Sequence, residues 1–190
     1  HAKDPISVGL ALDSFVPADH WKNNPKAEAC VLGAGGSSLA VSAYLAHEKH
    51  GDNVPARINV NNRSVPRLAE AIHLLETSRV PMSYHLCPNA EWNDAIVENL
   101  PEGSIIINAT GMGKDRPGSP LTDNCKFPKN AIVWEFNYRG TLEFMHQAEA
   151  QQAERNLQIE NGWTYFIHGW TQVIAEVFHI DITGARLAMC

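Results

Sequence analysis

The run Cys30-Val31-Leu32-Gly33-Ala34-Gly35-Gly36-Ser37-Ser38 constrains this chain more than any other stretch. A short apolar strand enters a glycine turn and leaves as a small-residue helix. That arrangement suits the pyrophosphate of a dinucleotide: the first glycine permits a tight turn, the second lets backbone N–H groups approach the phosphates, and the helix points its positive N-terminus at the negative charge. Ser38 stands at the third position of the GxGxxG pattern, where glycine or alanine is usual. An ordinary glycine turn between strand and helix is the alternative reading, so the surrounding order of elements matters.

Along the chain the apolar period switches repeatedly between two and 3.6 residues. Strands are predicted at 28–32, 56–60, 82–86, 104–108, 131–136 and 157–160, with helices at 38–50, 65–77, 90–100 and 142–156 and a closing helix that includes 171–178. The unbroken run Ile105-Ile106-Ile107 belongs to a parallel strand buried on both faces. Six strands with intervening helices predict an α/β fold, a Rossmann-like, doubly wound, mostly parallel sheet flanked by helices. Residues 27–190 form this dinucleotide-binding domain. Residues 1–26, an apolar helical stretch at 8–15 and a polar segment with Pro17 and Pro25, read as a linker helix and domain junction.

Composition excludes several classes. With 190 residues, 44% hydrophobic and 19% charged, the chain is ordinary globular material that suits one sizeable core. A formal charge of -6 argues against a nucleic-acid partner, although a local basic pocket remains compatible with it. Cys30, Cys87, Cys125 and Cys190 are scattered without a CxxC pair, so no metal site and no compact disulfide framework is expected. No apolar run approaches the ~20 residues of a membrane helix, and no secretory signal opens the chain. A cytoplasmic protein without a membrane partner is the expectation. His1 stands where a Met is usual, which suggests part of a longer protein.

An NAD-binding domain usually carries an acidic residue about 20 positions past its glycines to hold the adenosine ribose. The second predicted strand ends instead in Asn61-Asn62-Arg63-Ser64, with Arg67 one helical turn on. Arginines there suit a 2′-phosphate that a carboxylate would repel. NADP is therefore expected over NAD, with surface arginines at a helix start as the alternative.

Several ordered motifs then resemble the shikimate and quinate dehydrogenase family, specifically its C-terminal NADP-binding domain. Gly33-Ala34-Gly35-Gly36 resembles the family's GAGG loop, Asn62-Arg63-Ser64-Val65-Pro66-Arg67 its NRTxxR motif, and Asn108-Ala109-Thr110-Gly111-Met112-Gly113 its NAT…GM segment. Pro120-Leu121 matches a PL pair, Glu135-Phe136-Asn137-Tyr138 is similar to DxxY with Glu for Asp, and residues 162–178 resemble the closing helix. The resemblance implies an NADP-dependent oxidoreductase that interconverts a ring alcohol and ketone of a hydroxylated cyclic acid, of the shikimate or quinate class, in aromatic amino acid biosynthesis or quinate metabolism. It implies cofactor-binding roles for Gly33, Ala34, Gly35, Gly36, Ser37, Asn62, Arg63, Ser64 and Arg67. Asn108, Thr110, Gly111 and Met112 would line the nicotinamide side. Tyr138 would approach the substrate or, alternatively, pack at a strand end.

Departures from the family pattern bear on the substrate. Where the family's last helix carries a substrate-binding glutamine, this chain has Gly169, with Gln172 about a turn further on as a substitute. Trp163, Tyr165, Phe166 and Trp170 form either a pocket wall or core, and His168 among them is either a substrate contact or a satisfied core histidine. Lys114-Asp115-Arg116-Pro117-Gly118 is a charged loop that closes over the cofactor or is a solvated turn. The family's catalytic lysine segment, NVTxPxK, does not occur in these residues, and Asp4 is the nearest counterpart of its acidic partner. The chain is thus expected to be the cofactor-binding portion of a dehydrogenase whose N-terminal substrate domain is absent from it. The alternative is a non-catalytic dinucleotide sensor derived from the family. An uncovered apolar stretch at 8–15 would favour self-association into a homodimer.

Overall fold

A strand whose successive side chains are all apolar must be covered on both faces. The computed structural model describes residues 4–178 and the side chains of 6–171, and it meets this demand with a three-layer helix–sheet–helix arrangement. The parallel strands β1 (Ala29–Leu32), β2 (Ile58–Asn62), β3 (Met82–Leu86), β4 (Ile105–Asn108), β5 (Ile132–Glu135) and β6 (Gln158–Glu160) lie in the order β3-β2-β1-β4-β5-β6. The winding reverses between β1 and β4, whose register sets Leu32 beside Asn108. This is the Rossmann order, and its ligand crevice lies outside the strand ends at the reversal.

Alternate residues of each strand go to opposite layers. On one face Val31, Ile105, Ile107 and Trp134 join a core with Leu12 of α1 (Asp4–Phe15), Val41 and Tyr44 of α3 (Gly36–Leu45), and Leu68 of α4 (Val65–Leu74). On the other, Cys30, Leu32, Ile106 and Val133 meet Val97 of α5 (Ala90–Val97) and Phe144 of α6 (Glu143–Glu149). The closing helix α8 (Trp163–Phe178) packs against α1. Val8, Ala11 and Leu12 are therefore buried, against the expectation of an uncovered stretch at 8–15, while Ile6 and Leu10 stay exposed. Among the described residues no helix is long and apolar enough to cross a membrane.

Two elements differ from expectation. The segment read as a polar linker at 16–26 contains the short helix α2 (His20–Asn23), and His20 and Trp21 are buried because the His20 ring reaches Gly103 O at 2.8 Å. The helix predicted at 142–156 is broken into α6 and α7 (Gln152–Arg155). At the break the Gln151 side chain donates to Cys125 O (2.9 Å) and accepts from the Phe127 N–H (3.2 Å), spending its amide on a neighbouring segment. The closing helix, expected over 162–178, starts at Trp163, where Asn161 Oδ1 accepts the Trp163 N–H (2.9 Å) and caps it.

Trp134 sits at the centre of the larger core, with no solvent exposure and with Phe15, Phe136 and Tyr165 around its ring. Trp134→Ala should cost about 3–5 kcal/mol, the range for emptying a buried aromatic site. Urea unfolding followed by far-UV circular dichroism, with the slope unchanged, would show it.

Candidate functional site

Gly33 leaves β1 with φ 117°, and a Cβ there would lie 2.8 Å from Ala109 O, so the turn accepts only glycine. Its N–H donates to Asn61 O at 2.8 Å, fastening the end of β1 to β2. Gly35 precedes α3 in extended conformation and Gly36 opens the helix. A Cβ on either would meet no protein atom within 4 Å. Packing therefore makes no demand for glycine at 35 or 36. What these two residues keep open is space beside the backbone N–H groups at a helix N-terminus, which fits a phosphate.

The space beside Gly35 belongs to a cavity of about 680 Å³ at the carboxyl ends of the strands. Its walls come from Gly33, Ala34 and Gly35, from Asn61 to Ser64 with Arg67, from Cys87 to Ala90, and from the 109–120 segment. Arg63 and Arg116 both line it, and neither side chain has a hydrogen-bond or ion-pair partner among the described residues, whereas Arg67 pairs with Glu70 at 3.0 Å. Asn62 Oδ1 accepts the Ser64 N–H (2.9 Å) and shapes the turn that presents Arg63. Beneath the cavity the Asn61 amide donates to Asn93 Oδ1 (3.1 Å), and Asn93 donates to Pro120 O (2.9 Å), bracing one wall against the other.

A buried polar network sets the inner wall. Asn108 and Glu135 are neighbours across the β4–β5 ladder, both without solvent exposure. Asn108 Nδ2 donates to Glu135 Oε2 (2.7 Å), while Asn108 Oδ1 accepts from the Thr110 N–H (3.1 Å) and hydroxyl (2.7 Å). Glu135 Oε1 accepts the Asn137 N–H (2.8 Å) and Nδ2 (2.6 Å), and Asn137 also donates to Met112 O (3.0 Å). Burial pushes the Glu135 carboxyl up to about 7, against the pull of the Asn137 and Asn108 donors and with added repulsion from Glu143. On the far side of this wall lies a second cavity of about 290 Å³, which shares Ala109, Thr110, Gly111 and Asp115 with the first.

The structure brings most of the sequence-derived cofactor set together. Gly33, Ala34, Gly35, Asn62, Arg63, Ser64, Arg67, Thr110, Gly111 and Met112 all line the first cavity. Gly36 opens α3, Ser37 lines the second cavity, and Asn108 lies beneath the wall, lining neither. The substrate-side candidates are dispersed. Tyr138 lines the second cavity, stacked on Phe166 at 4.1 Å, whereas His168 is buried on α8 away from both, with its basicity lowered by burial. The side chains of Asp4 and Gln172 lie outside the described residues, as does Cys190. Of the aromatic residues, Tyr165 and Phe166 line the second cavity, while Trp163 and Trp170 are more than half exposed. Sequence reasoning missed Cys87–Ala90, Asn61, Asn93 and Ser119. The first group had a signal, the carboxyl end of the third strand; Asn93, mid-helix, had none.

No family model matches the chain. It is 34% identical over 122 residues to the shikimate dehydrogenase (NADP(+)) of Caulobacter vibrioides, covering 63% of this chain and 38% of that protein. It is 32% identical over 143 residues to the enzyme of the same name from Symbiobacterium thermophilum, covering 74% of this chain and 45% of that one. The chain thus spans less than half the length of these relatives. Among solved structures, shikimate dehydrogenase from Aquifex aeolicus superposes with a TM-score of 0.68 at 18% identity, over 98% of this chain and 59% of that one. Quinate dehydrogenase from Corynebacterium glutamicum in complex with NAD gives 0.62 at 19%, over 92% and 56%.

The Glu135 environment has a measurable signature. An unfolded glutamate releases its proton near 4.5 and the folded one near 7, so between these values the folded state binds more protons. The contribution is complete below about 4.5 and is lost as pH rises through about 7, so stability should fall across that window. Carbon-13 NMR should show the Glu135 carboxyl titrating near 7, and the Glu135→Gln variant should lose this component of the pH dependence.

Proposed function

The chain is a divergent member of the shikimate and quinate dehydrogenase family, and on that basis we propose that it is the cofactor-binding portion of an NADP-dependent oxidoreductase interconverting a ring alcohol and ketone of a hydroxylated cyclic acid. The observation that carries this reading is the cavity joining the glycine turn to Arg63 and Arg67, with two asparagines in place of a carboxylate at the tip of β2. The Gly35–Gly36 backbone at the α3 N-terminus would hold the pyrophosphate. Arg63, Ser64 and Arg67 would hold the 2′-phosphate. Thr110, Gly111 and Met112 would place the nicotinamide ribose against the wall shared by the two cavities. NADP, when bound, supplies or accepts the hydride.

The second cavity suits the hydroxylated acid. Tyr138 offers a phenol to a hydroxyl or carboxylate, and Lys114, 3.1 Å from Asp115, offers a cation to the carboxylate. Residues 1–26 act as the junction to a substrate domain outside these residues, and that domain supplies the lysine that exchanges the hydroxyl proton. Support for this reading is that the described part of α1 packs on both α3 and α8.

Calorimetric titration with NADP and NAD in parallel tests the reading. NADP should bind more tightly, and Arg63→Ala should weaken NADP by about tenfold or more while changing NAD little, as loss of a charge-assisted phosphate contact does. Failure of the wild-type chain to bind either nucleotide would overturn the proposal. Gly35→Ala separates ligand space from folding: it should abolish nucleotide binding while shifting stability by less than about 1 kcal/mol, because its Cβ meets no protein atom. A thermal melt beside the titration reads both.

A further inference from the structure

We infer that Arg116 is a phosphate ligand of this site, closing on the pyrophosphate of the bound dinucleotide from the side opposite the glycine turn. The inference rests on the dinucleotide reading above and adds to it a residue from the loop after β4. At the tip of that loop, Lys114 and Asp115 pair with each other at 3.1 Å. Arg116 next to them has no side-chain partner among the described residues, is exposed, and lines the same cavity as Arg63, of which the same holds. Two exposed guanidinium groups line one open cavity without an acidic partner among the described residues, and an anion held there gains charge-assisted hydrogen bonds from both.

The loop is braced at both ends, so Arg116 is presented at the cavity by a shaped hairpin. On the incoming side Leu142 N–H donates to Gly113 O (3.2 Å) and Gly113 N–H to Arg116 O (2.7 Å). On the outgoing side Glu143 Oε1 accepts the Gly118 N–H (3.2 Å), the Ser119 hydroxyl donates to Gln147 (2.7 Å), and Asn93 donates to Pro120 O (2.9 Å). The ordering of a loop that usually weakens anion binding is thereby largely complete before the ligand arrives.

Position distinguishes which phosphate Arg116 meets. Arg63 and Arg67 come from the β2 end of the cavity, where the adenosine ribose of a Rossmann ligand lies. Arg116 comes from the β4 side, on the loop that begins at Ala109, the residue Gly33 packs beside. The β1–β4 crevice is where the pyrophosphate crosses the sheet, so Arg116 reads a group that NAD and NADP share.

Calorimetric titration of the wild type, Arg116→Ala and Arg63→Ala with both nucleotides, at fixed low ionic strength, tests this. Arg116→Ala should weaken NADP and NAD by the same factor, about tenfold or more, with an unchanged melting temperature because the side chain is exposed, and Arg116→Lys should restore part of the loss. Unchanged affinity for both nucleotides in Arg116→Ala would overturn the inference, as would a loss confined to NADP, which would assign Arg116 to the 2′-phosphate. If the wild type binds neither nucleotide, the cofactor reading falls and this inference with it. If the wild type binds and Arg116→Ala binds equally well, only this inference falls.

Discussion

The pairing of β1 with β4 sets everything that happens at this site. Because β2 and β3 wind away on one side of β1 and β5 and β6 on the other, the loops leaving β1 and β4 diverge to opposite layers and open a crevice between them. The ladder hydrogen bonds hold the two strands a few ångströms apart, so the loops must pass at close quarters before they separate. Gly33 is the consequence: its positive φ and its closeness to the Ala109 carbonyl leave no room for a side chain. Every cofactor-side residue, from Gly35 to Arg63 to Thr110, is positioned by strands that continue from this pair.

Behind the crevice a carboxylate does structural work at some energetic cost. Glu135 lies buried with no cation paired to it among the described residues, and survives there because the Asn137 and Asn108 amides donate to it. Those same side-chain amides bond directly to Thr110, through Asn108 Oδ1, and to Met112 O, through Asn137 Nδ2, so the charge of Glu135 is converted into the shape of the wall between the two cavities. Replacing it with an apolar residue would remove the acceptor of three hydrogen bonds and leave the buried Asn137 N–H without a partner, which costs about 1–3 kcal/mol for that group alone.

Legibility from sequence followed the locality of the signal. The strands were readable because Ile105-Ile106-Ile107 and Ile132-Val133-Trp134 declare burial on both faces within a few residues. The glycine turn and the Asn62-to-Arg67 segment were readable because phosphate recognition uses contiguous backbone and side chains. The break between α6 and α7 was not, since a helical pattern continues through it and the cause is Gln151 bonding to residues 125–127, some two dozen positions away. The linker that became α2 escaped for the same reason: the burial of His20 is fixed by Gly103, 83 residues later. The family resemblance puts Asn108 on the nicotinamide side, whereas its side chain bonds to Glu135 on the next strand and lines neither cavity.

The sequence by itself determined the layered α/β fold, the glycine turn and the arginines at the tip of β2, because each depends on short-range periodicity or on residues adjacent in the chain. Tertiary structure alone decided which polar residues meet ligand and which brace the site. Asn61, Asn93 and Pro120 form one strut, Glu135, Asn108 and Asn137 another, and Arg116 is left without a side-chain partner among the described residues, beside the Lys114–Asp115 pair. In each case the deciding partner lies on a different element, brought within hydrogen-bond distance by the packing of the sheet and recorded nowhere in the local pattern.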